Sequence, residues 1–144
     1  MKKIFLTGIT GLVGSAFVVA LLRERQDCEF VCLARKSAVK SARQRTEEII
    51  RDECKFDGCP ELADRILSKV SVIEGDVVDL DPVEMAKNPL LEGVNVVFHC
   101  AADVNLGQDP TGRTFRINYQ GSKNIVELAK LFGVSTDYLL GLDT

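Results

Sequence analysis

Three glycines spaced three apart, in Thr7-Gly8-Ile9-Thr10-Gly11-Leu12-Val13-Gly14, follow directly on the apolar run Ile4-Phe5-Leu6. A strand is expected to end at Gly8, a helix to begin near Leu12, and a tight turn to join them. Gly8 lets the chain turn off the strand where a side chain would clash. Gly11 removes the Cβ where a pyrophosphate approaches backbone N–H groups, and Gly14 lets the helix pack close to the strand. Free N–H groups and the positive end of the helix dipole then face anionic phosphates. Thr7, Gly8, Thr10, Gly11, Leu12, Val13 and Gly14 are therefore expected to cradle a dinucleotide.

The remaining hydrophobic pattern alternates strands with helices. Strands are expected at 3–6, 30–34, 70–74 and 94–100. Helices are expected at 12–25, 38–52 and 61–67, from Pro82 onward, and from 114 to 132 with Gly133 as the stop. Residues 54–60 are expected to form a loop, with Cys54 and Cys59 bracketing it. The run Val94-Asn95-Val96-Val97-Phe98-His99-Cys100 is almost continuously apolar, as in a strand covered on both faces. Successive β-α units imply an α/β fold, a doubly wound parallel sheet of the Rossmann type with strand order 3-2-1-4. Residues 1–133 form one dinucleotide-binding domain in this reading, and 134–144 an atypical tail that supplies a helix or a fifth, edge strand. Without a well-formed fifth strand, strand four leaves an open apolar edge through which two copies can associate.

Composition narrows the classes of function. The 144 residues are 46% hydrophobic and 27% charged with net charge −3, ordinary for a soluble domain and without a basic field to attract nucleic acid or an anionic membrane. No apolar run approaches the ~18 residues of a membrane span, and the apolar start lacks a signal-peptide cleavage site. Five cysteines and no secretion signal point to reduced thiols and a cytoplasmic location. The cysteines lack metal-ligand spacing, and the one histidine, His99, is distant from them in sequence, so no metal site is expected.

In a sheet of this kind, chemistry gathers at the carboxyl ends of the strands. After strand two come Arg35 and Lys36, with no acidic residue to meet a free ribose 2′-hydroxyl. A planar guanidinium suits a 2′-phosphate, so NADP(H) is expected in preference to NAD(H). Arg45, on the next helix, is read chiefly as a surface charge. After strand three, Asp76 is placed to accept from the adenine amino group while the Val77 N–H meets the ring. After strand four, Cys100, Ala101 and Ala102 let ribose and phosphates lie against the backbone. Asn118, on the last helix with Gly121, is expected to bond a neighbouring strand or hold a water near the site. His99 is read as a core or rim histidine.

In this order the segments resemble the cofactor-binding half of the extended short-chain dehydrogenase/reductases, nearest to the thioester reductase and fatty-acyl reductase branch. The resemblance rests on Thr7 to Gly14, Cys32-Leu33-Ala34-Arg35-Lys36 with Ala42-Arg43-Gln44-Arg45, Gly75-Asp76-Val77, His99 to Asn105, and Asn118-Tyr119-Gln120-Gly121-Ser122, over roughly residues 1–130. It implies an oxidoreductase that uses NADPH to reduce carrier-bound or CoA thioesters. The family's Tyr-x-x-x-Lys, which protonates the substrate carbonyl, has no convincing match. Tyr119 with Lys123 has the spacing but lies in the segment matching the Asn-x-x-Gly helix. Tyr138 is followed at that spacing by Leu142, and Thr144 is a poor match to the family's catalytic hydroxyl. Binding of cofactor without turnover is therefore expected. The last ~15 residues resemble the end of Cro/C1-type helix-turn-helix domains, with Ser135-Thr136-Asp137 as a helix cap. A non-enzymatic dinucleotide-binding sensor module is the alternative; a DNA-binding regulator rests on that tail alone.

Overall fold

The computed structural model describes residues 1–103 and 107–134. Four strands, β1 (Lys2–Thr7), β2 (Cys28–Ala34), β3 (Val70–Glu74) and β4 (Val96–His99), form one sheet in the order β3-β2-β1-β4. Every pairing is parallel, with Ile4 opposite both Phe30 and Val96, and Phe30 opposite Val70. This is the expected doubly wound arrangement. Alternation along the strands divides the core between the faces of the sheet. Ile4, Leu6, Phe30 and Cys32 pack with α1 (Leu12–Glu24), α2 (Ala42–Phe56) and α3 (Ala63–Leu67). Phe5, Val31, Leu33 and Ile73 face the other way, toward Leu80, Ile125 and Leu128, on the side of α4 (Pro82–Ala86) and α6 (Ser122–Leu131). A strand buried on both faces reads as an unbroken apolar run, as Ile4-Phe5-Leu6 of β1 and Phe30 to Ala34 of β2 do.

Local chemistry moves several boundaries. The second helix begins at Ala42 rather than near 38, because Ser41 and Gln44 form a reciprocal capping box. Before it, Ser37 closes a turn by accepting the Lys40 N–H. The same helix runs through the expected loop to Phe56, so Cys54 lies on α2. It stops where Gly58, at φ +74°, allows the Cys59 N–H to reach the Cys54 carbonyl and the Gly58 N–H to reach that of Lys55. Cys54 and Cys59 are thus both buried beside a helix terminus instead of bracketing an open loop.

The expected last helix is three pieces: α5 (Arg113–Phe115), a π-turn over Arg116–Gly121, and α6. It ends before Gly133 as expected. Strand β4 is shorter than the apolar run, because Asn95 is held by a reciprocal tie: its N–H donates to the Lys3 carbonyl and its Oδ1 accepts the Lys3 N–H. Only Val97 of its residues is fully buried, so cover on its two faces is incomplete. Phe98 instead stacks on Phe17 of α1, ring centroids 4.2 Å apart. No described strand pairs with β4 on the side away from β1. The tail expectations at residues 135–144, and the matches at Val104 and Asn105, lie outside the described residues. No described helix is long and apolar enough to cross a membrane.

Candidate dinucleotide site

The glycine loop is shaped by close approach between backbones. Gly8 has φ +85°, and a Cβ there would lie 2.7 Å from the Cys100 carbonyl carbon, so the end of β1 can lie against the end of β4. A Cβ on Gly14 would sit 2.1 Å from the Gly8 carbonyl oxygen, which shows what its missing side chain accommodates: the loop itself more than the strand. Gly11 caps α1, and its N–H donates to the Gly8 carbonyl at 3.1 Å. The donors at the helix start without an intrahelical acceptor are therefore those of Leu12, Val13 and Gly14. No side chain caps them, and the Leu12 and Val13 side chains are exposed. An anion is the natural partner for such a helix start.

Thr7, expected at the ligand, is fully buried and acts from behind. Its Oγ1 accepts the N–H groups of Cys100 and Ala101, each at 3.2 Å, and lies 2.5 Å from His99 Nδ1. With both lone pairs of the hydroxyl engaged, its hydrogen goes to Nδ1. His99 then carries its proton on Nε2, which donates to Ser122 Oγ at 3.1 Å. The imidazole is neutral, and burial pushes its pKa below the ordinary value. One hydroxyl and one ring thus tie β1, β4 and α6 together behind the cleft.

This network has a pH signature. The unfolded chain takes up a proton near the ordinary imidazole value of about 6.5, whereas the folded chain resists it. Stability is fully present above that value and falls as the pH drops from it toward the lowered folded value. The melting temperature is accordingly expected to decline between pH 7 and 5, with a shallower decline in His99→Gln. Equal slopes in the two proteins would contradict a neutral, half-buried His99.

The strand ends converge on a cleft of about 210 Å³. Gly8, Thr10 and Gly11 line one side, Ala34 and Arg35 the end of β2, Gly75, Asp76 and Val77 the end of β3, and Cys100, Ala101, Ala102 and Asp103 the end of β4. Arg113 and Ile117, from α5 and the π-turn, close the remaining side. Of the residues expected from sequence, Thr10, Gly8, Gly11, Arg35, Asp76, Val77, Cys100, Ala101 and Ala102 line this cleft. Thr7, Leu12, Val13, Gly14, Lys36 and Asn118 do not. Arg113, Ile117 and Ile9 line it too and were not anticipated; only the helical spacing of 113 and 117 hinted at a shared face.

Polar contacts set the rims. The Arg35 guanidinium lies 4.0 Å from Asp76 Oδ2, while Asp76 Oδ1 accepts the Val78 N–H. Arg45 is anchored to the same strand end, donating to the Arg35 carbonyl at 2.6 Å. It lines a neighbouring hollow together with Thr10, Ser37 and Lys40. Asn118 grips the Asp103 backbone from both sides, accepting its N–H at 2.8 Å and donating to its carbonyl at 3.0 Å. Sequence reasoning overlooked Asn124, a buried residue whose Nδ2 donates to the carbonyls of Val77 and Val78. Beside it, Gly121 leaves room for Val77; a Cβ there would be 2.7 Å from Val77 Cγ2. Tyr119 is exposed, stacks on Phe115 and takes no part in lining the cleft, so its spacing to Lys123 puts no acid–base pair there.

A parallel sheet in this order, with a glycine-rich turn opening α1 and strand ends that line a cleft, defines a Rossmann-type dinucleotide-binding domain. Residues 6–140 match the family model described as Male sterility protein, an NAD-binding domain family, and the chain belongs to that family. A candidate fatty acyl-CoA reductase of Drosophila melanogaster, CG8306, is 36% identical over 135 residues, spanning 90% of this chain and 25% of that protein. The thiolation-reductase di-domain of an archaeal non-ribosomal peptide synthetase superposes with a TM-score of 0.71 at 24% identity, covering 90% of this chain and 32% of the other. The reductase domain of a nonribosomal peptide synthetase from Mycobacterium tuberculosis gives 0.59 at 29% identity, covering 90% and 30%. The chain spans about a quarter of the length of the curated relatives it matches. It is an NAD(P)-binding domain of the extended short-chain reductase type.

Proposed function

We propose that this chain is the NADP(H)-holding part of a reductase acting on acyl thioesters, with CoA or a carrier protein as the thiol. The observation that carries the cofactor choice is Arg35 at the end of β2, exposed on the cleft rim, with Arg45 bonded to its carbonyl. A 2′-phosphate between these two cations replaces the acid-to-hydroxyl contact that an NAD(H) site uses. The residues that fit the cofactor are ordered along the cleft. The start of α1 takes the pyrophosphate, Asp76 and Val77 the base, and Cys100 to Ala102 the ribose next to the nicotinamide. When bound, the cofactor supplies a hydride; this chain's residues orient it and hold the strand ends still. Proton donation to the substrate requires groups that the described residues do not bring to the cleft, so binding without turnover is the expected behaviour of these 144 residues.

Calorimetric titration of the chain with NADPH, NADH and free adenosine 2′,5′-bisphosphate tests this reading. NADPH and the bisphosphate are expected to bind more tightly than NADH. Equal affinity for NADPH and NADH would remove the 2′-phosphate assignment, and carbonyl or thioester reduction by this chain alone would remove the claim of binding without turnover. Five free cysteines support a reducing, cytoplasmic setting. The side of β4 that no described strand covers supports self-association by strand pairing; sedimentation that stayed monomeric up to high concentration would argue against it.

A further inference from the structure

We propose that Arg113 is a specificity-determining residue for the adenine end of the cofactor, laying its planar guanidinium on the face of the base. The inference rests on the dinucleotide reading of the cleft and adds a contact that the glycine loop and the strand ends do not provide. Arg113 opens α5 directly after Gly112, and it lines the cleft opposite the glycine loop. A second hollow, of about 170 Å³, shares Asp76, Arg113 and Ile117 with the cleft and lies on its β3 side. That places Arg113 at the end where Asp76 and Val77 meet a base, and away from the start of α1 where phosphates are held.

The polar groups around Arg113 are already committed, whereas among the described residues its guanidinium is not. Arg116, which lines the same hollow, donates to the Thr111 carbonyl at 3.1 Å. Arg35 faces Asp76 across the cleft. Asp109 accepts the N–H groups of Thr114 and Phe115 and so fixes the start of α5. Among the described residues the Arg113 side chain makes no hydrogen bond and no ion pair, although Asp76 and Asp79 line the same hollow. It lines the cleft together with Ile117, a buried apolar residue four positions on that would give the base a floor. A guanidinium with no carboxylate partner among the described residues, beside an apolar wall, suits the face of a heteroaromatic ring, where cation–π attraction and stacking act together.

The test compares the wild-type chain with Arg113→Ala and Arg113→Lys, using AMP, NADPH and inorganic diphosphate as titrants. Arg113 is exposed and its side chain bonds to no described residue, so both variants are expected to melt like the wild type. Arg113→Ala is expected to weaken AMP and NADPH alike, by about tenfold, and to leave diphosphate unchanged. Arg113→Lys is expected to lose most of the same affinity, because an ammonium keeps the charge but not the plane. Unchanged AMP affinity in Arg113→Ala overturns the proposal. So does full retention in Arg113→Lys, or a loss that extends to diphosphate, since either marks Arg113 as a plain phosphate cation. Failure of the wild type to bind NADPH at all would instead strike the dinucleotide reading, a result distinguishable because it needs no variant.

Discussion

Gly14→Ala is expected to lower the melting temperature by about 10 °C and to abolish measurable dinucleotide binding. The methyl group would stand 2.1 Å from the Gly8 carbonyl oxygen and 2.7 Å from its carbon, well inside van der Waals contact. Overpacking in a core is often relieved by a rotamer change, but here both partners are backbone. Relief requires moving the start of α1 away from the end of β1, and that displaces the uncapped N–H groups of Leu12 and Val13 that are expected to meet the pyrophosphate. A cost of about 3 kcal/mol is expected, which for a domain of this size gives the stated shift in melting temperature. Gly11→Ala provides the internal comparison. A Cβ there meets only the Gly8 carbonyl oxygen, at 3.4 Å, so stability is expected to change little and any effect to fall on binding. Thermal melts of the two variants check the pair. Equal destabilisation, or a Gly14→Ala protein that melts with the wild type, would show that the turn has slack that the geometry denies it.

Arg35→Ala is expected to weaken NADPH about thirtyfold while leaving NADH within about twofold. A charge-assisted bond to a phosphate contributes about 2 kcal/mol beyond solvation, and only the 2′-phosphate distinguishes the two cofactors. Arg35 also faces Asp76 at 4.0 Å with half of its side chain exposed, so the pair it leaves is weak and its loss costs little stability. The NADPH preference is therefore expected to collapse with the fold intact, as read by titration at fixed salt. A parallel loss for both cofactors would instead mark Arg35 as a general contact to the adenosine half. In that case the choice of NADP(H) would have to come from Arg45 or from outside the described residues.

The glycine spacing and the apolar strands carried the fold, because backbone close approach and two-sided burial leave direct marks on composition. The strand-end residues of the cleft were legible for the same reason. Once the strand order is known, the residues after each strand have nowhere else to lie. What escaped was chemistry that depends on partners distant in sequence. Thr7 looks like part of the loop, yet its hydroxyl is spent 93 and 94 residues away on the Cys100 and Ala101 N–H groups. Asn124 sits in an ordinary helical pattern, and only the fold reveals that it holds the turn after β3. Arg113 carries no local signal beyond its helical spacing to Ile117, because its significance comes from what it faces. The start of α2 was misplaced since Ala38 to Lys40 read as helix by composition, while Ser41 and Gln44 set the boundary by hydrogen bonding.

The π-turn at Arg116–Gly121 has one further consequence. A π-turn holds one more residue than the same length of α-helix, and each residue of an α-helix advances the side-chain direction by about 100°. The extra residue therefore acts as a phase shifter between two surfaces that need different alignments. Before it and within its first residues, Arg113 and Ile117 line the cleft; downstream, Ile125 and Leu128 point into the core. Removing one residue from this stretch would restore a regular helix and put the two halves out of step. A stable core would then coexist with a cleft whose far wall faces solvent.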